Sequence, residues 1–145
     1  MFSKATEYAL RATIYISQKG TEEKMLGLAE IAKAIDSPQF FTAKILQKLS
    51  RNNKIISSAR GPNGGFYMTE EMKKTPIRSV LTAMKESEVL EKCIIGLAQC
   101  SEKEPCPMHA KYKFIKAQTI QMFESMTIQS LADEMEKGNM FISNS

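Results

Sequence analysis

One histidine is all that the 145 residues contain. A single imidazole leaves little material for acid–base chemistry near neutral pH. The chain also lacks a phosphate-binding loop, a nucleophile elbow and a His-rich metal box, so an enzyme is the least supported class. No apolar run approaches the roughly 18–20 residues of a membrane span, because charges interrupt every hydrophobic stretch. The opening Met1-Phe2-Ser3-Lys4 passes directly into a helical pattern with no apolar signal core, which sets a cytoplasmic location and no membrane partner as the default expectation. Internal repeats and low-complexity stretches are absent as well.

Cysteine is scarce and unevenly placed. Cys93, Cys100 and Cys106 lie within fourteen positions of one another. An odd number crowded into one segment is unlike a secreted disulfide scaffold and reads as a reduced metal or redox site. With 43% hydrophobic and 25% charged residues, the composition suits a soluble domain with a core. Its net charge of +4 is lopsided: residues 1–68 hold ten Lys/Arg against five Asp/Glu, and residues 69–145 hold ten against eleven. A basic first half followed by a near-neutral second half suits a nucleic-acid module with an appendage.

Periodicity predicts helices over 4–19, stopped by Gly20, and over 28–35, where Leu28, Ile31, Ala32 and Ile35 share one face. Ser37 is the expected N-cap of a third helix over 38–51, with Pro38 in its first turn. Phe41, Ile45, Leu46 and Leu49 are its expected buried side. The pattern then changes to two short β-prone runs around Arg60-Gly61-Pro62-Asn63-Gly64-Gly65, a β-hairpin. A helix over 75–85 follows, capped by Thr75. Residues 86–106 are irregular. From 108 to 137 the pattern is helical again, with a break near 125–130 and a stripe that includes Ile115, Met122, Phe123 and Met126.

Two short helices joined by a tight turn, then a hairpin, are the parts of a winged helix-turn-helix. Its second helix enters the major groove with its first turns against the base edges. Ser37, Gln39, Thr42, Lys44 and Lys48 are the candidate DNA contacts on that helix. Arg60 and Asn63 are candidates at the glycine-rich tip, where the backbone can approach a phosphate or an arginine can enter a narrow minor groove.

The run Ile55-Ile56-Ser57-Ser58-Ala59-Arg60-Gly61-Pro62-Asn63-Gly64-Gly65-Phe66 resembles the wing of the Rrf-type winged-helix regulators, the IscR/NsrR-like family. Tyr8-Ala9-Leu10-Arg11, Leu28-Ala29-Glu30-Ile31-Ala32 and Met126-Thr127-Ile128-Gln129-Ser130-Leu131 are similar to it too. The likeness runs over essentially the whole chain. It implies a mainly α fold with a small β-hairpin wing, and a homodimer joined by long C-terminal helices that reads a palindrome-like operator in double-stranded DNA. The expected segments are a DNA-binding domain over 1–86, a cysteine loop over 87–109, and a dimerisation helix and tail over 110–145. In the dimer, Ile115, Met122, Phe123 and Met126 are expected to meet their symmetry mates, since monomers rarely tolerate so large an exposed apolar patch.

The loop reads Cys93-x6-Cys100-x5-Cys106-x2-His109. Thiolates are soft ligands that select iron–sulfur clusters, zinc or copper(I), and His109 could supply a fourth ligand. Zinc competes because Cys₃His is a regular zinc set, although these spacings exceed the usual paired ones. Reduced, unligated cysteines controlled by thiol oxidation or by a protein partner are a further alternative. Members of the resembled family that sense through a cluster carry three cysteines here, with a first gap one residue shorter. The resemblance implies an iron–sulfur cofactor. A [2Fe–2S] centre fits His109 as fourth ligand; Glu7 is the alternative fourth ligand and would suit a [4Fe–4S] centre bridged between subunits.

Overall fold

The computed structural model describes residues 1–144. Its elements are α1 (Lys4–Lys19), α2 (Leu28–Ala34), α3 (Gln39–Leu49), β1 (Ser57–Ala59), β2 (Gly65–Tyr67), α4 (Arg78–Ala83), α5 (His109–Ser125) and α6 (Ile128–Glu136). Single turns of 3-10 helix at Arg51–Asn53, Met72–Lys74 and Ser87–Glu91 lie between them.

The centre of the fold is α1. Ser3 caps it by accepting from the Thr6 N–H at 3.2 Å, which satisfies one of the first-turn donors that have no helical partner. Ala9, Ala12 and Ile16 are fully buried, and the two alanines let neighbouring helices approach closely. Helices α2, α3, α4 and α6 all pack against α1. Two buried hydroxyls on α1 are satisfied locally: Thr13 donates to the Ala9 carbonyl at 2.8 Å and Ser17 to that of Ile14 at 2.7 Å. Ile31, Ile35, Leu46, Leu49, Ile56, Leu81 and Ile128 complete a dry core. Each such side chain contributes about 1.5–3 kcal/mol by leaving water.

The hairpin pairs antiparallel in the register Ser57↔Tyr67, Ser58↔Phe66 and Ala59↔Gly65. Leu26 adds a bridge to Phe66 through two 2.8 Å backbone hydrogen bonds, which ties the wing to the segment before α2. Two glycines make this possible. A Cβ on Gly64 would lie 2.2 Å from the Ala59 carbonyl oxygen, and one on Gly65 would lie 2.5 Å from that of Leu26.

Two expectations need correction. Pro38, not Ser37, occupies the N-cap of α3, and no side chain caps that helix. The expected helix over 75–85 contracts to Arg78–Ala83 because Pro76 forms a bridge with Thr127. There Ile77 N–H donates to the Met126 carbonyl at 2.8 Å and Ile128 N–H to that of Thr75 at 3.0 Å, so Thr75 is extended and cannot start a helix. The same bridge divides the long C-terminal pattern at the break expected near 125–130. Met126 and Thr127 are extended, and Thr127 then caps α6 by accepting from Ser130 N–H at 3.1 Å. Helix α6 folds back onto α1, so residues 110–145 are not one continuous helical arm.

Candidate nucleic-acid interface and cysteine loop

The turn between α2 and α3 is made by Ile35-Asp36-Ser37-Pro38, with Asp36 in the left-handed region at φ 54°. Ser37 N–H donates to the Ala32 carbonyl at 3.0 Å, and the hydroxyls of Ser37 and Thr42 are in contact. Thr42 also donates to the Pro38 carbonyl at 2.8 Å. Ser37 is half-buried and Thr42 fully buried. Both therefore brace the turn, and Thr42 leaves the set of candidate surface contacts. Its neighbours in space, not its residue type, decide this: Thr42 sits on the same side of α3 as Ile45, Leu46 and Leu49.

Gln39, Lys44 and Lys48 are exposed, as expected of residues that face a groove. Arg60 and Asn63 are exposed at the wing tip, and Gly64 N–H closes the turn on the Gly61 carbonyl at 3.0 Å. One groove runs between α3 and the wing, lined by Ala43, Gln47, Ser58, Arg60 and Gly65 among others. The helix and the hairpin thus border a common surface. Among the described residues, Lys44, Lys48, Arg51, Lys54 and Arg60 have no acidic partner. Cations left unpaired on and beside α3 and at the wing are the electrostatic material of a polyanion site.

Sequence reasoning missed parts of this surface. Arg51 and Lys54 join Lys48 around a recess between the end of α3 and α4. Phe40 stands outward on α3, 73% exposed, with Lys44 Nζ 4.4 Å above its ring centre. An angular count along α3 would have found Phe40, because 40, 44 and 47 form a stripe opposite the buried 42, 45, 46 and 49.

The cysteines occupy the irregular segment between the Ser87–Glu91 turn and α5. Cys93 is buried, and Cys100 and Cys106 are half-buried. Burial pushes the Cys93 thiol pKa up. The backbone N–H groups of Leu97 and Ile95, the Cys106 thiol and the Gly96 N–H together outweigh burial and hold that pKa below the usual thiol value. Cys100 Sγ lies 3.5 Å from His109 Nδ1, and His109 N–H donates to the Cys106 carbonyl at 3.0 Å. The four expected donors therefore stand as two pairs, Cys93 with Cys106 and Cys100 with His109.

His109 is 7% exposed. Its buried Nε2 lies 3.1 Å from a Glu102 carboxylate oxygen. His109 and Lys113 beside Glu102 hold its carboxyl below the ordinary range. A buried imidazole and three thiols on one segment form a donor set chemically suited to a soft metal. Among the described residues, no three His, Cys, Asp or Glu side chains already converge as a metal site. Ligation requires the two pairs to close on one another. Glu7 pairs with Lys4 at 3.8 Å on the first turn of α1 and stands in no such cluster.

The loop is mechanically tied to the rest of the chain. Arg78 on α4 donates to Ser87 Oγ at 3.0 Å and pairs with Glu91 at 3.4 Å and with Glu124 near the end of α5. Lys116 on α5 donates to the Glu91 carbonyl at 2.8 Å. Phe123, expected at a dimer contact, instead packs edge-to-face on Phe2 of its own chain, with ring centres 5.6 Å apart. Met126 also packs against the core, whereas Ile115 and Met122 are exposed. No helix is long and apolar enough to cross a membrane among the described residues.

A family model for Rrf2, described as an iron-dependent transcriptional regulator, matches residues 2–134. An Aquifex aeolicus (strain VF5) protein named as an HTH-type transcriptional regulator is 31% identical over 139 residues, 94% of each chain. The HTH-type transcriptional regulator IscR of Klebsiella pneumoniae (strain 342) is 23% identical over 129 residues, covering 89% of this chain and 77% of that one. Among solved structures, CymR (YrzC), the global cysteine regulator of B. subtilis, superposes with a TM-score of 0.71 at 19% identity, over 92% of this chain and 97% of that chain. T. potens IscR gives 0.69 at 16% identity, over 97% and 91%. The relatives are transcriptional regulators, not enzymes, and the fold they share with this chain is the winged helix-turn-helix.

Proposed function

This chain belongs to the Rrf2 family of transcriptional regulators, and from that premise we propose that it is a homodimeric DNA-binding regulator controlled by an iron–sulfur cluster on the cysteine loop. The observation that carries this reading is the cysteine loop itself. Three thiols and the buried His109 imidazole lie on one irregular segment, with Cys100 Sγ 3.5 Å from His109 Nδ1. Cys93, Cys100 and Cys106 are the cluster ligands in this reading, with His109 as the fourth, which favours a [2Fe–2S] centre. Glu7 is the weaker candidate because it lies on the first turn of α1, paired with Lys4 and in no donor cluster. When bound, such a centre supplies three or four metal–ligand bonds and sensitivity to oxidants and iron supply.

On the DNA side, Gln39, Lys44 and Lys48 face the major groove of a palindrome-like operator. Arg60 and Asn63 meet the backbone or the minor groove. The loop acts on them through its ties. Drawing Cys93 and Cys100 together orders the segment after Glu91, which Arg78 and Lys116 hold to α4 and α5. Ile115 and Met122 on α5 are the dimer contacts in this reading, so a shift of α5 changes the spacing of the two recognition helices. A coupling energy of about 1–3 kcal/mol is enough for a switch.

Anaerobic purification tests the cofactor directly. Brown protein with visible absorption and iron in stoichiometric amount is the expected result. Alanine at Cys93, Cys100 or Cys106 removes the colour and moves operator affinity in one common direction. Zinc in colourless protein would overturn the cluster. The contact between Cys93 and Cys106 favours one second reading, a cluster-free regulator switched by thiol oxidation. Colourless, metal-free protein whose DNA affinity changes when a Cys93–Cys106 disulfide forms would establish it instead.

A further inference from the structure

Phe40 is an anomaly on α3. It lies at the second position of the helix, in the centre of the outward stripe of 40, 44 and 47, where no core residue can reach it. With 73% of its surface exposed, its ring is no part of the core. Other large exposed apolar residues, such as Phe114, Ile115 and Met122, sit on α5, away from this face. The surroundings of Phe40 are those of a polyanion site: Lys44 covers one face of the ring at 4.4 Å, and Gln39, Gln47 and Lys48 are exposed nearby. The first turn of the second helix in a helix-turn-helix is the part that meets base edges.

An aromatic ring offers no donor or acceptor to a base edge. The major groove presents one prominent apolar group, the C5-methyl of thymine, and phenylalanine is among the side chains that contact it. From this geometry we infer that Phe40 is a specificity-determining residue that packs on a thymine methyl in the major groove. Lys44 holds the ring from one face through its cation–π contact, and the remaining face or edge is free for the base. The inference rests on the proposed entry of α3 into DNA and adds to it a base preference, thymine at one position in each half-site.

The test uses the full-length protein and DNA duplexes chosen by it from a random-sequence pool. The chosen duplex is then remade with each thymine replaced singly by deoxyuridine, which removes only the methyl group. Affinities are compared at one fixed salt concentration, since phosphate contacts make them salt-dependent. Wild-type protein is expected to lose about fourfold in affinity per methyl removed at one symmetric pair of positions. Phe40→Ala is expected to bind the thymine duplex more weakly and to be indifferent to that replacement. Methyl sensitivity that persists unchanged in Phe40→Ala, or wild-type affinity untouched by every replacement, overturns the inference while leaving DNA binding intact. Failure to enrich any sequence overturns both the inference and the reading on which it rests.

Discussion

The helices that build the DNA-binding module and the segment that follows them treat apolar residues in opposite ways. In α1, α3 and α4, every large apolar side chain on the inward face meets another element, and Ile16, Leu46 and Leu81 are sealed from solvent. In the cysteine loop and α5, Ile94, Ile95, Leu97, Phe114, Ile115 and Met122 remain exposed. Helix α5 touches its own core chiefly through Phe123 and Ile120. One region is complete within a single chain. The other carries apolar surface and a donor set that its own chain does not cover or close, which suits a segment finished by a second copy and a bound group.

The largest effect that would sharpen this contrast is on stability. Leu46→Ala removes a fully buried side chain shared by α3 and the core, and should cost about 2–5 kcal/mol in denaturant unfolding. A loss below about 1 kcal/mol would mean that the core is less closed than its burial implies.

Arg60→Ala comes next. Its side chain is exposed at the wing tip with no acidic partner, so fold and oligomeric state should not change. Operator binding should weaken by about 1–3 kcal/mol, read by gel shift at physiological salt. Unchanged affinity would remove Arg60 from the interface.

The second region is probed by replacing Ile115 and Met122 together with serine. Self-association should weaken on the order of tenfold in sedimentation, with helical content retained. A wild-type monomer at micromolar concentration would end the dimer reading outright.

The smallest effect lies at the junction of the two regions, where Glu86 precedes the loop. Its carboxylate accepts from Ser3 N–H at 3.2 Å and from the Ser3 and Thr6 hydroxyls at the start of α1. Partial burial opposes ionisation, but these hydrogen bonds and Lys92 outweigh it and hold the pKa below the usual glutamate value. A carboxyl lowered on folding adds stability above its unfolded pKa and loses it as pH falls through its folded pKa. Glu86→Gln should therefore lower the Tm slightly at pH 7, and the gap to wild type should close on acidification below the ordinary glutamate range. A gap independent of pH would show that the carboxylate charge is not what latches α1.

Much of this molecule is legible along the chain because its signals are local. The helix α1, the α2–turn–α3 unit and the hairpin follow from 3.6-residue periodicity and from a Gly/Pro/Asn turn. Cys93, Cys100, Cys106 and His109 announce a soft-donor loop by type alone. The readings that changed depended on which neighbour the fold supplies. Thr42 looks like a groove contact until the fold buries it with its hydroxyl against that of Ser37. Thr75 looks like a helix cap until its carbonyl accepts from Ile128, fifty-three positions away by residue number. Phe123 and Met122 are adjacent and equally apolar, yet one packs on Phe2 and the other faces solvent.

By itself, then, the amino-acid sequence determined the family, the winged helix-turn-helix and the residue types from which a cation-rich DNA face and a metal-binding loop can be made. Tertiary structure decided which of those residues are free to act. A hydroxyl or a thiol is available to a ligand only if nothing in the fold has already claimed it. Which groups are claimed depends on contacts between α6 and α1, between Thr127 and Pro76, and between Ser37 and Thr42. Such contacts arise from packing in three dimensions, and periodicity along the chain carries no record of them.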